Sequence, residues 1–199
     1  YMNKDLNLSA IVMRKKPGYK SCKKHKIFDN LLKQKFNVDE KNKIWCTDFT
    51  YMRQPNGKFR YNCTIMDLFD RSAIASVNSD YINTELAIET LTEALKKEKP
   101  NNGILLHSDQ GVQYTSWEFV NFCKDNGVIQ SMSKAGCPYD NAPMERFYNT
   151  FKNCFYYRYT FESVEQLDEM TKQYINWYNY VRPHSTNNYM TPMEFRYRA

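Results

Sequence analysis

Three carboxylates stand out by their settings. Asp48 lies in the middle of IWCTDFTYM, a stretch rich in strand-forming residues. Asp109 follows the short apolar run Ile104-Leu105-Leu106, and Glu145 opens an aromatic-rich helical stretch. Between Asp109 and Glu145 lie 35 residues. Hard oxygen donors of this kind suit Mg²⁺ or Mn²⁺. Two such ions about 4 Å apart activate an attacking oxygen and stabilise a leaving oxygen in an in-line displacement at phosphorus. In the simplest division of labour one carboxylate bridges both ions, and Asp48, on the most rigid mount, is the candidate for the bridge. Spacing alone does not single these three out from 22 Asp and Glu. Asp67 and Asp70, in MDLFDR, also border a strand, and are read as a turn with a salt bridge to Arg71.

Other chemistries find little support. There is no GxSxG, HExxH or phosphate-binding P-loop. Three histidines (His25, His107, His184) are too few for a histidine-based metal centre, so His107 and His184 are read as accessory or structural groups. Cys22-x-x-His25 lacks a second ligand pair, so no zinc site is expected. The six cysteines include no CxxC pair and read as free thiols of a reducing cytoplasm.

The elements that must position the acids follow from periodicity. Strands are expected at 43–53, 58–67 and 72–79, the first two joined by a tight turn at Pro55-Asn56-Gly57, where Asn-Gly tolerates positive φ. A helix capped by Asn83 or Thr84 runs to about Lys99, with Leu86, Ile88, Leu91 and Leu95 on its apolar stripe. A buried strand follows at 103–108. A capping box at Thr115-x-x-Glu118 opens a helix to Asn126-Gly127, and a fifth strand spans 128–132. Residues 133–139 form a loop with little apolar anchorage. Asp140 or Asn141 caps a helix, with Pro143 in its first turn, running to about Tyr159. A last long helix starts at Ser163-x-x-Gln166 and ends near Arg182-Pro183. The order β-β-β-α-β-α-β-α-α predicts an α/β fold: a mixed five-stranded sheet flanked by helices, with ligands at strand ends and helix starts. Period-2 alternation puts Asp48 on one face with Ile44, Cys46, Thr50 and Met52.

Charge is unevenly placed. The net charge is +6, yet residues 1–35 alone hold ten Lys and Arg against two Asp. We read residues 1–40 as a basic N-terminal arm or linker, with a short helix at 28–36, and residues 41–199 as the core with a C-terminal helix and tail. A basic arm points to a polyanionic partner, most simply nucleic acid, with Lys15, Lys16, Lys23 and Lys24 as contacts. Lys134, Arg146, Asn149 and Lys152 are candidate DNA contacts on the body; Glu145, Asn149 and Lys152 share one helix face. A phosphate contact and a solvated surface position both fit Lys152. The aromatics Phe147, Tyr148, Phe151, Phe155, Tyr156 and Tyr157 suit core packing more than base stacking. No apolar run approaches the roughly 20 residues that span a bilayer. The first residue is Tyr rather than Met, which leaves room for an upstream domain.

The segments WCTDFTY, LLHSDQGVQYTS, SMSKAGCPYDNAPMERFYNTFK and WYNYVRPH together resemble the catalytic core of bacterial insertion-sequence transposases of the orfB type, relatives of retroviral integrases. The resemblance covers nearly all of residues 20–199. It implies a ribonuclease-H-like fold with Asp48, Asp109 and Glu145 in the places of the family's D, D and E, binding two Mg²⁺ ions, for which Mn²⁺ can substitute. It implies a polynucleotidyl transferase that cleaves at element ends and joins the freed 3′-OH to DNA. It further implies a homo-oligomer on DNA, an upstream helix-turn-helix region or product for end recognition, and a bacterial, nucleoid-associated location in the cytoplasm. Lys152 matches the family's basic residue on the catalytic helix. The family continues its FK with Asn-Glu, where this chain has Asn153-Cys154. A catalytically silent DNA-binding derivative and a ribonuclease-H-type nuclease are the alternative readings.

Overall fold

The structure, a computed structural model, describes residues 26–101 and 103–198. Lys15, Lys16, Lys23 and Lys24 lie outside the described residues. Five strands form one sheet: β1 (Ile44–Arg53), β2 (Phe59–Asp67), β3 (Ala73–Ser79), β4 (Ile104–Ser108) and β5 (Val128–Met132), in the order β3-β2-β1-β4-β5. β1, β2 and β3 are antiparallel neighbours, while β4 and β5 run parallel to β1. The first turn forms as its residues dictate: Gly57 takes φ +82°, and Gln54 N–H donates to the Lys58 carbonyl at 2.8 Å.

The helices are α1 (Thr84–Glu98), the single turn α2 (Val112–Thr115), α3 (Trp117–Asp125), α4 (Ala142–Cys154), α5 (Val164–Tyr180) and α6 (Pro192–Arg198). Each sheet face buries its own apolar set. On one face Trp45, Ile65 and Leu106 meet Leu91 of α1 and Phe119 of α3. On the other, Cys46, Met52 and Met66 meet Phe147 and Phe151 of α4 and Tyr174 and Tyr178 of α5. The α4 aromatics are therefore core: Phe147 and Tyr178 pack edge to face at 4.9 Å, and Phe151 and Tyr174 at 5.0 Å. Tyr157, beyond the helix end, is exposed. Among the described residues no helix is long and apolar enough to cross a membrane.

Several local expectations shift. The helix expected at 28–36 is absent, because Lys33 and Gln34 adopt positive φ, which no α-helix accommodates. Residues 26–40 instead pack on the body: Leu32 is buried, Lys26 N–H donates to the Thr115 carbonyl, and Gln34 Nε2 donates to Asp140 Oδ1 at 2.8 Å. The cap of α3 is Ser116, whose Oγ accepts from Phe119 N–H at 3.2 Å, one residue later than the expected Thr115. Asp67 and Asp70 pair with Arg196 of α6 rather than with Arg71. Residue separation hides that contact: Arg196 is buried beneath the β2–β3 turn and also pairs with Glu98.

Candidate active site

β1 and β4 pair in parallel with Cys46 beside His107. Continuing that register two residues along both chains sets Asp109 beside Asp48, and the period-2 rule keeps each on its neighbour's face. Glu145 comes from the first turn of α4, where the helix dipole favours an acid. The three side chains line one open cleft of about 490 Å³, rimmed by Gln110, Lys134 and the 135–138 loop.

Each acid has a specific mount. Asp48 Oδ1 accepts from the Phe49 N–H at 2.8 Å. Asp109 Oδ1 accepts from the Gly111 N–H at 2.8 Å. A side chain at position 111 would put its Cβ 2.9 Å from that same oxygen, so glycine is what lets the backbone approach the carboxylate. α4 is tied to β1 on both sides of Glu145. Asn141 Nδ2 donates to the Thr47 carbonyl at 3.2 Å, and Tyr148 Oη donates to the Asp48 carbonyl at 2.9 Å. Of the two expected caps, Asp140 and Asn141, Asn141 stands at the N-cap position, though its side chain makes no cap bond. Gly111 and Tyr148 escaped sequence reasoning as site residues. The signal for Gly111 was a glycine two residues after the acid, and Tyr148 carried none beyond its aromatic type.

Electrostatics sets the cleft apart from the rest of the surface. Among the described residues Asp48, Asp109 and Glu145 form no ion pair. Burial pushes the Asp48 carboxyl up to about 7, and the charges of Asp109 and then Glu145 push the same way; the Phe49 N–H opposes them. Clustered, uncompensated carboxylates cost stability unless a cation joins them. The donor set is all oxygen and hard, so it fits a divalent ion such as Mg²⁺. Among the described residues no three His, Cys, Asp or Glu side chains converge on a single ion.

His107 is buried between Ser131 Oγ at 2.9 Å and Ser133 Oγ at 3.1 Å. Burial drives its imidazole down to about 4, so it is a neutral clamp between β4 and β5. His184 is likewise buried and structural, stacked edge-on against Tyr178. The loop after β5 has polar anchorage in place of apolar: Gln110 Nε2 donates to the Ser133 carbonyl, and the Lys134 N–H to Asp140 Oδ2.

Of the expected DNA contacts that are described, Lys134 alone borders the acid cleft. Lys152 places its Nζ 4.4 Å above the exposed Tyr51 ring, and burial lowers its ammonium below the usual lysine range. Asn149 is exposed and accepts from Asn153 Nδ2. Arg146 faces a separate cavity, one helix face round from Glu145.

Comparison with known proteins bears on this site. Two family models, both described as integrase core domain, match residues 38–138 and 126–192. The chain is 35% identical over 167 residues to the transposase for insertion sequence element IS904 of Lactococcus lactis, covering 83% of this chain and 66% of that protein. It is 35% identical over 173 residues to a transposase-like protein of Haemophilus influenzae, covering 85% and 78%. With the putative transposase InsK for IS150 of Escherichia coli it shares 34% over 167 residues, covering 84% and 59%. The chain thus spans about two thirds or less of several of these relatives. Among solved structures, the simian T-cell lymphotropic virus intasome, in complex with PP2A regulatory subunit B56 gamma, superposes with a TM-score of 0.71 at 18% identity, covering 86% of this chain and 59% of that one. The HTLV-2 integrase catalytic core domain, in complex with magnesium, gives 0.63 at 17% identity, covering 79% and 97%. The mixed five-stranded sheet with flanking helices is the ribonuclease-H-like fold of those cores.

Proposed function

Because the chain belongs to the integrase core domain family, we propose that it is the catalytic core of an insertion-sequence transposase, cutting DNA at element ends and joining the freed 3′-OH to a second DNA. The observation that carries the reading is that Asp48, Asp109 and Glu145 line one cleft and, among the described residues, form no ion pair. Those three residues would hold the divalent ions, Mg²⁺ or Mn²⁺, that such a centre uses. When bound, such ions activate the attacking oxygen and stabilise the leaving one.

The chain's own residues fix the geometry. The Phe49 and Gly111 N–H groups orient the two aspartates. Asn141 and Tyr148 hold Glu145 at a set distance from β1. Lys134, on the cleft rim, would meet a substrate phosphate, and Lys152, over the Tyr51 ring, the strand beyond it. In the first step a water oxygen bonds to phosphorus as the bridging bond to the 3′ oxygen breaks, leaving a 3′-OH. In the second step that 3′ oxygen bonds to a new phosphorus and displaces another 3′ oxygen.

The partners follow. The substrates are element ends and target DNA. Joining two ends in concert calls for several copies, and the superposition on an intasome supports assembly on DNA. Bacterial relatives support action at the nucleoid. End recognition is assigned to an upstream region or partner product, and Lys15, Lys16, Lys23 and Lys24 to contacts with DNA phosphates.

The test is a joining assay in Mg²⁺ on branched DNA, which presents the 3′-OH beside the phosphodiester and needs no end recognition. Joined product of altered length supports the proposal. Cleavage without any joined product would instead mark a ribonuclease-H-type nuclease.

A further inference from the structure

A second cavity, of about 550 Å³, opens on α4 one helix face away from Glu145. Pro143, Arg146, Phe147 and Thr150, at the i, i+3, i+4, i+7 spacing of one helix stripe, form one wall. Arg71, from the β2–β3 turn, and Arg182, from the segment after α5, complete it over a floor that includes Met66 and Tyr178. Three guanidinium groups therefore border one cavity, and none of its lining residues is Asp or Glu.

Among the described residues Arg71, Arg146 and Arg182 form no ion pair. The two aspartates nearest Arg71 in sequence, Asp67 and Asp70, each give one oxygen to Arg196 and the other to a backbone N–H, of Phe69 and Ser72. Arg71 Nη2 donates to the Phe36 carbonyl at 2.8 Å, while its buried Nη1 has no partner among the described residues. Arg71 also holds a left-handed backbone, φ +63°, where glycine or asparagine is usual. Arg182 Nη1 lies 3.2 Å from His184 Nε2. Burial, then the charges of Arg182 and Arg71, push His184 down to about 4, so it stays neutral and accepts. An unpaired, half-dry cluster of guanidiniums is costly as it stands and is well made for a phosphate, whose oxygens match the guanidinium fork.

We propose that this cavity is a second DNA-binding site, taking a backbone phosphate of a strand that crosses α4 after leaving the acid cleft. The inference rests on the reading of the chain as a DNA strand-transfer core and adds a contact outside the reacting centre. Arg146, exposed at the cavity mouth, and Arg182 supply the charge; Arg71 forms the inner wall.

The test is fluorescence anisotropy of a labelled DNA duplex across a salt series, with Arg146→Gln, Arg182→Gln and, as a control, Lys124→Gln on the exposed face of α3. Each lost phosphate contact lowers the slope of log K on log salt by about 0.9. Each arginine variant should then lose about three-fold less affinity between 50 and 200 mM salt than the wild type does. Lys124→Gln should match the wild type. Equal slopes in all four proteins, an equal drop in the control, or no DNA binding by the wild type would overturn the proposal. A parallel arm measures thermal stability in inorganic phosphate against chloride at matched ionic strength. Stabilisation of the wild type by phosphate, with arginine-variant DNA slopes unchanged, would mark a free-anion site and also overturn it. Asp48→Asn separates the two claims: it should keep the wild-type salt slope while losing cleavage. Cleavage by that variant would sink the acid-cleft reading and leave the slopes to judge the arginine cavity.

Discussion

The Tyr148 hydroxyl donates to the backbone carbonyl of Asp48 at 2.9 Å, so the helix that carries Glu145 is fastened to the strand that carries the first aspartate at the aspartate itself. The same oxygen stands 3.2 Å from the Asn62 carbonyl and 3.1 Å from Asn62 Oδ1. With one proton it serves these acceptors in turn, and its ring packs against Phe147 and Phe151.

Tyr148→Phe keeps the ring and removes the tether. Loss of a buried hydrogen bond costs about 1–3 kcal/mol. We expect a melting temperature lower by several degrees and a joining rate reduced about ten-fold, with DNA affinity unchanged. Calorimetry and single-turnover assays check this; an unchanged rate would make the tether purely structural.

Gly111→Ala is predicted to act almost entirely on chemistry. The added methyl would stand 2.9 Å from Asp109 Oδ1, while φ −57° at this residue suits alanine. Relieving that contact shifts the Asp109 carboxylate by about half an ångström; since a misplacement of about 1 Å costs on the order of 100-fold, the expected loss is about ten-fold. The variant should melt within a few degrees of the wild type and react correspondingly more slowly.

Asp48 gives the cleft a pH signature. Its folded carboxyl titrates near 7, above the ordinary 3.8, so the folded state holds the extra proton between those values. Metal-free stability therefore falls as pH rises from about 4 through 7. Asp48→Asn removes the penalty and should stabilise the metal-free protein at pH 8 by about 2 kcal/mol, discounted from the full shift because the cleft is open to water. At pH 5 the difference should be much smaller. Metal binding requires the ionised form, so metal affinity should rise with pH through 7. Thermal melts of both proteins at the two pH values check the sign.

Arg196→Met should destabilise the fold by about 3–5 kcal/mol, since Asp67 and Asp70 would be left charged and buried. Adding Asp67→Asn and Asp70→Asn should recover much of the loss. Chemical denaturation of the single and triple variants measures both effects.

These residues also show what the chain reveals before it folds. The strands and the setting of Asp48 were legible because period-2 alternation and the Asn56-Gly57 turn are local signals. Asp109 and Glu145 were legible as candidates from a strand end and a helix start, and the motif resemblance joined them. The Arg196 clamp and the Asn141 and Tyr148 tethers were not, since each spans about 90 residues or more and leaves no periodic trace. The helix expected at 28–36 does not form because contacts far along the chain, with Ser131 and Asp140, hold the segment in an irregular path.

The central claim is that Asp48, Asp109 and Glu145 act as one metal-dependent centre. Its most direct measurement is the rate of DNA joining on a branched substrate in Mg²⁺ for the wild type and for Asp48→Asn, Asp109→Asn and Glu145→Gln, each first shown to be folded. The account predicts joining by the wild type, none in chelator, and loss of at least about 1,000-fold in every variant, non-additive when combined. Joining at near the wild-type rate by any one of the three would contradict it.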